Sequence, residues 1–188
     1  MIKFKKIKWK NFLSTGDHWT EIDFLEKNTN LIIGHNGSGK STLLDALTFV
    51  LFNKPFRKIN KSQLVNTVNE KDSVVELEFD VNAREYVVRR GMKPTIFDIE
   101  VNGEPLHRQA DDRSNQKILE ENILKVNYKS FTQIVILGSS TFIPFMQLSS
   151  SVRRDVIEDL LDIRTVSYTH LRAHETKANL VCRLLLEK

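Results

Sequence analysis

Gly34-His35-Asn36-Gly37-Ser38-Gly39-Lys40-Ser41 is the stretch from which the rest of this 188-residue chain is best read. It fills the pattern G-x-x-x-x-G-K-[ST], which the chain's own glycine, lysine and serine-plus-threonine frequencies would produce by chance about 0.003 times. An apolar run, Leu31-Ile32-Ile33, precedes it and an amphipathic run follows it, the strand–loop–helix context that a phosphate-binding loop needs. At such a turn successive backbone N–H groups converge on an anion at the positive end of the following helix. Gly34, Gly37 and Gly39 are expected to supply positive φ and close backbone approach. Lys40 brings a point charge to the β and γ phosphates, and the Ser41 hydroxyl is placed to ligate a Mg²⁺ that the phosphates also hold. Asn36, Ser38 and Thr42 complete the candidate nucleotide-binding set. His35 belongs to it by position only, since its place in the pattern is variable, and it carries no catalytic role.

Working outward, residues 2–12 alternate lysine with Ile2, Phe4, Ile7, Trp9 and Phe12, with one slip near Lys5-Lys6 that reads as a bulge. A second strand fits His18–Phe24 and a third Asn30–Ile33. The helix after the loop spans Ser41–Phe52, with Leu43, Leu44, Leu47, Val50 and Leu51 on one side, and Pro55 stops it. From 73 to 101 the period changes to two. Val75, Leu77, Phe79 and Val81 alternate with acids, Glu85–Arg90 follows, and Phe97, Ile99 and Val101 alternate again. This predicts an antiparallel meander whose acidic faces meet water, and Asn102-Gly103 predicts a tight turn. Helices are expected at Asn115–Val126, Lys129–Leu137 and 151–163, the last capped by Ser151, with Val152, Val156, Ile157, Leu160, Leu161 and Ile163 on one face. No internal repeat is present. The fold class is α/β with an antiparallel arm.

Composition bounds the rest. With 40% hydrophobic residues and 11 Phe the chain can bury a core, and no apolar run approaches the roughly 20 residues of a membrane span. The single cysteine, Cys182, excludes an internal disulfide and points to a cytoplasmic setting. A net charge of +4 carries no argument for nucleic acid by itself.

The run from Gly34 through Leu47 resembles the G-x-N-G-x-G-K-S form of ABC-type and SMC-type ATPases, and Asp45-Ala46-Leu47 and Lys10-Asn11-Phe12 look like the SMC branch. Phe131-Thr132-Gln133-Ile134-Val135-Ile136-Leu137, followed by Phe142-Ile143-Pro144-Phe145-Met146, is similar to the Q-loop region of SbcC-type ATPases. Arg153 through Ile163 looks like the helix leading such proteins into their coiled coil. The likeness covers residues 1–165 and is strongest to the ATPase subunits of T-even-type phage recombination endonucleases.

That resemblance implies the N-terminal half of an ABC/SMC-type P-loop ATPase head, with ATP and Mg²⁺ as cofactors. It implies ATP-dependent pairing of two heads as a homodimer, action on DNA ends in recombination and repair, and control of an SbcD-type nuclease subunit. It also implies no membrane, and the host cytoplasm for a phage-encoded chain. Departures qualify the expectation. The glutamine that reaches Mg²⁺ in SbcC-type proteins is Ser139 in this register, with Gln133 six residues earlier. The arginine that commonly follows Asn-Phe is Leu13. No apolar strand ends in Asp-Glu, so the acid and general base of hydrolysis are absent from this chain, as are the signature motif and a switch histidine. Their absence predicts a chain that binds ATP and hardly turns it over alone.

Competing readings are weaker. A GTPase needs Asn-Lys-x-Asp, whereas Asn69-Glu70-Lys71-Asp72 has the wrong order, and a transporter ATPase has a shorter span than the one from Lys40 to Ser139. A non-hydrolysing nucleotide-binding module stays open as the alternative. The lysines of residues 3–10 suit either DNA phosphates or a solvated strand face that protects an edge, and Arg89-Arg90 with Lys93 suits phosphate or an exposed strand end. Trp9 and Trp19 are expected in the core or on a strand face. Residues 166–188 break the apolar face of the preceding helix, carry no heptads, and read as translated adapter or vector sequence outside the fold, the rival reading being a short helix with Leu180, Val181, Leu184 and Leu185 on one face. His170 and His174 lack a third metal ligand.

Overall fold

A computed structural model describes residues 2–25, 29–106, 112–136, 143 and 145–161. The chain divides into two compact units, Met1–Tyr128 and Lys129–Lys188.

The first unit is built on one antiparallel sheet of strands β1 (Ile2–Lys10), β2 (Thr20–Asp23), β3 (Ser73–Val81), β4 (Arg84–Met92), β5 (Ile96–Val101) and β6 (Glu104–Pro105), in the order β2-β1-β3-β4-β5-β6. The period-two pattern fixes its faces. Ile7 pairs with Leu77, Leu77 with Val88 and Val88 with Ile99, all buried on one side. Each such side chain contributes roughly 1.5–3 kcal/mol on burial. The bulge expected near Lys5-Lys6 is present as a register shift between Phe4 and Lys6. Asn102 and Gly103 both take positive φ, the left-handed pair a tight hairpin requires.

Helix α1 (Thr42–Phe52) packs on β3 and β4. It is buried from Asp45 to Phe52, and Leu43 and Leu44 are only half-buried, so the expected one-sided face is not observed. Phe12, two residues past the end of β1, covers part of the helix, its ring 5.6 Å from that of Phe49. Asn53 ends the helix in the left-handed conformation, donating its N–H to Phe49 O, two residues ahead of Pro55. The last carbonyls of α1 are satisfied from outside, Val50 O by Arg90 Nε at 3.0 Å and Leu51 O by Gln116 Nε2 at 2.9 Å. The expected helix over 115–126 starts at α2 (Asp112–Lys117) and continues as a π-wound segment, Ile118–Leu124, ended by Lys125 at φ 54.

Three expectations of this region are corrected. Residues 30–33 form no strand, and Leu31 and Ile33 are each 82% exposed, because no described strand lies alongside to complete a ladder. The acidic side of β3 is not all solvated, since the Glu76 side chain is 5% exposed, between Lys8 and Arg89. Strand β1 is flanked by β2 and β3, so its lysines protect no edge.

In the second unit, α3 (Tyr128–Ile134, whose first residue closes the first unit) is shorter than the expected Lys129–Leu137, and α4 spans Ser150–Leu160. Ser151 lies inside the first turn of α4 and does not cap it, the preceding Ser149 being at the helix start with its carbonyl accepting from Arg153 N. Lys129 Nζ and Asp155 Oδ2 are 2.9 Å apart. Val156 is buried while Ile157 and Leu161 are exposed, so the expected apolar face is only partly covered. Residues 162–188, including the proposed non-native tail, Cys182, His170 and His174, lie outside the described residues.

Candidate functional site

The loop from Gly34 to Ser41 adopts a compact turn of its own. Ser38 donates its N–H to His35 O at 3.2 Å, and Thr42 N–H reaches Gly39 O at 2.9 Å as α1 begins. Gly37 and Gly39 have φ of 86° and 89°, which an L side chain adopts only under strain. Gly34 does not have positive φ, contrary to expectation. It is needed for another reason, since a Cβ there would lie 2.5 Å from Ser38 Oγ. Lys40 crosses the turn, its Nζ donating to Gly34 O at 2.6 Å and His35 O at 2.7 Å. The ammonium is thereby held over the loop that the sequence assigns to phosphate. Ser41 stands at the N-cap of α1 in a helical conformation (φ −73°, ψ −14°), exposed, with no side-chain capping hydrogen bond, so its hydroxyl is free to take a ligand.

Asn36, Gly37, Gly39, Lys40, Ser41 and Thr42 line a cleft of about 550 Å³, within the size range of small-molecule sites. Gly34, His35 and Ser38 shape the turn from behind. Five further residues complete the lining, none of them singled out for it by the loop pattern: Leu13, Ser14, Arg57, Gln63 and Thr67. Leu13 lies at the cleft as the departure from the family pattern requires, with no charge to offer.

Two polar clamps bring these residues to the loop. The first is an asparagine network. Asn66, 6% exposed, donates its side-chain amide to Leu13 O (3.0 Å) and Thr15 O (3.1 Å), while its Oδ1 accepts from Val68 N and Asn69 N. Asn69 Nδ2 donates to Asn11 Oδ1 at 2.6 Å, and Asn66 N to Asn11 O at 2.9 Å. Asn11 and Leu13 both have positive φ, so this short loop is tied down at each bend. Ser14 is carried at its tip, 3.8 Å from where a Cβ on Gly39 would lie. The second clamp is Asp45, wholly buried, which accepts from Phe56 N, Arg57 N and the Arg57 guanidinium. Asn and Asp between apolar runs are the signal that could have found both clamps, but the pattern gives no partner for either.

Among the described residues no group of His, Cys, Asp and Glu could hold a metal. A Mg²⁺ at this site therefore fits one protein hydroxyl, Ser41, with phosphate oxygens and water as its other ligands. Of the two candidates for metal contact beyond the loop, Ser139 lies outside the described residues. Gln133 is in α3, as expected, with its Oε1 buried and without a hydrogen-bond partner among the described residues.

Of the basic residues considered for DNA, Lys5, Lys6, Lys8, Lys10, Arg89 and Arg90 are occupied. Lys5 pairs with Asp80 and Glu85, Lys6 with Glu21, Lys8 with Glu76, and Lys10 with Asp17. Hydrogen bonds to Glu85 and Asp80 hold the Lys5 ammonium above its ordinary pKa. Arg89 pairs with Glu76, and Arg90 is buried with its guanidinium 3.7 Å over the Phe97 ring, which corrects the expectation of an exposed strand end. Trp9 is in the core. Trp19 is 45% exposed beside Lys8 and Lys10.

The model of a family described as AAA domain matches residues 6–181. The chain is 42% identical over 165 residues to exonuclease subunit 2 of Enterobacteria phage T4, covering 88% of this chain and 29% of that protein. It is 41% identical to exonuclease subunit 2 of Escherichia phage RB69, with the same coverage. A DNA double-strand break repair Rad50 ATPase of Thermoplasma volcanium is 28% identical over 177 residues, covering 91% of this chain and 19% of that protein. A solved structure from work on the structural biochemistry of ATP-driven dimerization and DNA-stimulated activation of SMC ATPases superposes with a TM-score of 0.58. It is 27% identical and covers 84% of this chain and 99% of that one. The chain spans less than a third of the length of these curated relatives. The resemblance to SbcC-type and SMC-like ATPases, strongest on the phage side, agrees with this set, as does an N-terminal half-head fold.

Proposed function

Because this chain belongs to the AAA-domain family, matched over residues 6–181, we propose that it is the ATP-binding N-terminal part of a DNA recombination and repair ATPase. The observation that carries this is the loop itself, with Lys40 bridging it and an uncapped Ser41 at the start of α1, all on one cleft. In this reading the amides of Gly37 to Ser41 receive the phosphates and Lys40 exchanges loop carbonyls for phosphate oxygens. Ser41 and those oxygens hold Mg²⁺, which neutralises charge on the phosphates when bound.

ATP-dependent pairing of two heads, DNA as substrate and an SbcD-type nuclease as partner are part of the same proposal for the full-length protein. The name of the phage relatives, exonuclease subunit 2, supports a nuclease partner, and the SMC neighbour supports head dimerization. No helix among the described residues is long and apolar enough to cross a membrane.

On its own, the chain is expected to bind ATP and turn it over barely, since no apolar strand of its sequence ends in Asp-Glu and, among the described residues, no group of His, Cys, Asp and Glu could hold the metal. Steady-state phosphate release by the purified chain tests this. Release at background level alongside measurable ATP binding supports the proposal, and robust turnover abolished by Lys40→Ala overturns the division of labour it assumes.

A further inference from the structure

A second cleft opens at the other end of α1 from the glycine loop, about 16 Å of helix away. It has a volume of about 460 Å³ and belongs wholly to the first unit. Five cations line it, Lys54, Lys61, Arg90, Arg113 and Lys117, against two carboxylates, Asp112 and Glu120. The carbonyl end of α1 accounts for Arg90, which donates its Nε–H to Val50 O at 3.0 Å and so offsets the negative pole of the helix. It does not account for Lys54, Lys61 and Lys117. Among the described residues none of these three donates to a carbonyl or pairs with a carboxylate, and Lys54 and Lys61 stand only over the rings of Tyr128 and Phe49.

Arg90 sets the character of this cleft. It is 5% exposed, lies 3.7 Å over Phe97, and makes no ion pair among the described residues. Val50 O and Gln116 Oε1 take two of its five N–H bonds, so three donors of a buried cation have no acceptor among the described residues. Burial holds its guanidinium below the ordinary arginine value, against the opposing pull of Asp112 and Glu120. Burial lowers the Lys61 ammonium as well, and the Arg90 charge lowers it further. A bound anion would offset both the mutual repulsion and the lost hydration. An extended nucleic-acid backbone reaches surface lysines, whereas a guanidinium this deeply buried is met only by a group that enters the cleft. A terminal phosphate can enter, and its three oxygens accept from several donors at once.

We propose that this second cleft binds a small molecule by a terminal phosphate or pyrophosphate group, held by Arg90 together with Lys54, Lys61 and Lys117. The proposal stands apart from the nucleotide reading above, because the two clefts share no lining residue.

The test is calorimetric titration of the full chain with pyrophosphate, in the Lys40→Ala background so that the glycine loop does not contribute. Saturable binding is expected there, and adding Lys61→Gln/Lys117→Gln should weaken it by at least about tenfold. Lys61→Arg/Lys117→Arg keeps both charges and is expected to bind nearly as its parent does. Lys3→Gln removes an exposed charge outside the cleft and is expected to leave binding unchanged. Should the glutamine pair fail to fold, Lys54→Gln carries the same expectation of weaker binding. No saturable binding at pyrophosphate up to about 1 mM overturns the proposal. Binding that Lys61→Gln/Lys117→Gln leaves intact overturns it, as does an equal loss in Lys3→Gln. A single-stranded oligonucleotide without a terminal phosphate is the competitor. If it displaces pyrophosphate at lower concentration than glycerol phosphate does, the ligand is a phosphodiester chain and the proposal falls. None of these outcomes bears on ATP binding at the glycine loop, which is read separately in the chain that carries Lys40.

Discussion

The side-chain amide nitrogen of Asn66 lies 3.0 Å from the carbonyl oxygen of Leu13, a contact that helps to hold the loop after β1 at the wall of the cleft. The same nitrogen also reaches Thr15 O, so the two carbonyls flanking Ser14 share one donor group. A buried amide that satisfies two backbone carbonyls is costly to remove, because both are then left without a partner.

Asn66→Ala is accordingly expected to lower stability by about 1–3 kcal/mol. It should also weaken ATP binding, since Ser14 and Leu13 lose their anchor. Chemical denaturation and nucleotide titration of the same preparation check both. Unchanged stability would mean that water replaces the amide without loss.

The glycines of the loop separate by mechanism. Gly37→Ala and Gly39→Ala each force a side chain into positive φ, at about 1–2 kcal/mol. Gly34→Ala clashes with Ser38 Oγ, while Ser38 Cβ at 3.4 Å and Lys40 Cδ at 3.9 Å are in ordinary contact, so the double variant Gly34→Ala/Ser38→Ala should recover most of what the single one loses. No pairing with Ser38→Ala should rescue Gly39→Ala. Thermal melting of the variants distinguishes them.

Glu76 predicts an acid limb to stability. Burial raises its carboxyl, but the hydrogen bonds and charges of Lys8 and Arg89 outweigh that and hold it below its ordinary value. A depressed acid stabilises the fold fully above the unfolded pKa, about 4.3 for glutamate, and loses that contribution as pH falls through the lower folded value. Glu76→Gln should lower stability at neutral pH and flatten the decline below about pH 4 relative to wild type. Denaturation curves across that range read it directly.

Arg90 closes the end of α1 from the sheet, with bonds to Val50 O and to Gln116 Oε1 and its plane against Phe97. Arg90→Met keeps the apolar stem but strips a helix carbonyl of its donor, and is expected to cost about 2–3 kcal/mol. Arg90→Lys should not rescue it, because an ammonium cannot supply the fork or the stacking surface. Equal stability of Arg90→Lys and wild type would contradict this role.

How legible the molecule was in its sequence follows from how local each feature is. The bulge at Phe4–Lys6, the meander from Val75 to Val101, the turn at Asn102-Gly103 and the loop around Lys40 rest on spacing between neighbours in the chain, and all are present. What was misread depends on partners distant in sequence. Residues 31–33 carry a strand pattern, yet a strand exists only where another backbone completes its ladder, and none of the described ones does. Arg90 and Glu76 look like surface charges in a period-two run, and are buried because Val50 and Gln116 meet the one and Lys8 and Arg89 the other. Arg57 and Thr67 gave no sign of sharing a cleft with Lys40, because contacts distant in sequence, the asparagine network and Asp45 among them, bring their segments together.

The measurement that bears most directly on the whole account is calorimetric titration of the purified chain with ATP, with and without Mg²⁺, beside Lys40→Ala. The account predicts saturable, magnesium-dependent binding in wild type that Lys40→Ala abolishes. No saturable binding at ATP up to about 1 mM, where even an affinity near −4 kcal/mol would register, would contradict it, and so would binding that Lys40→Ala leaves untouched.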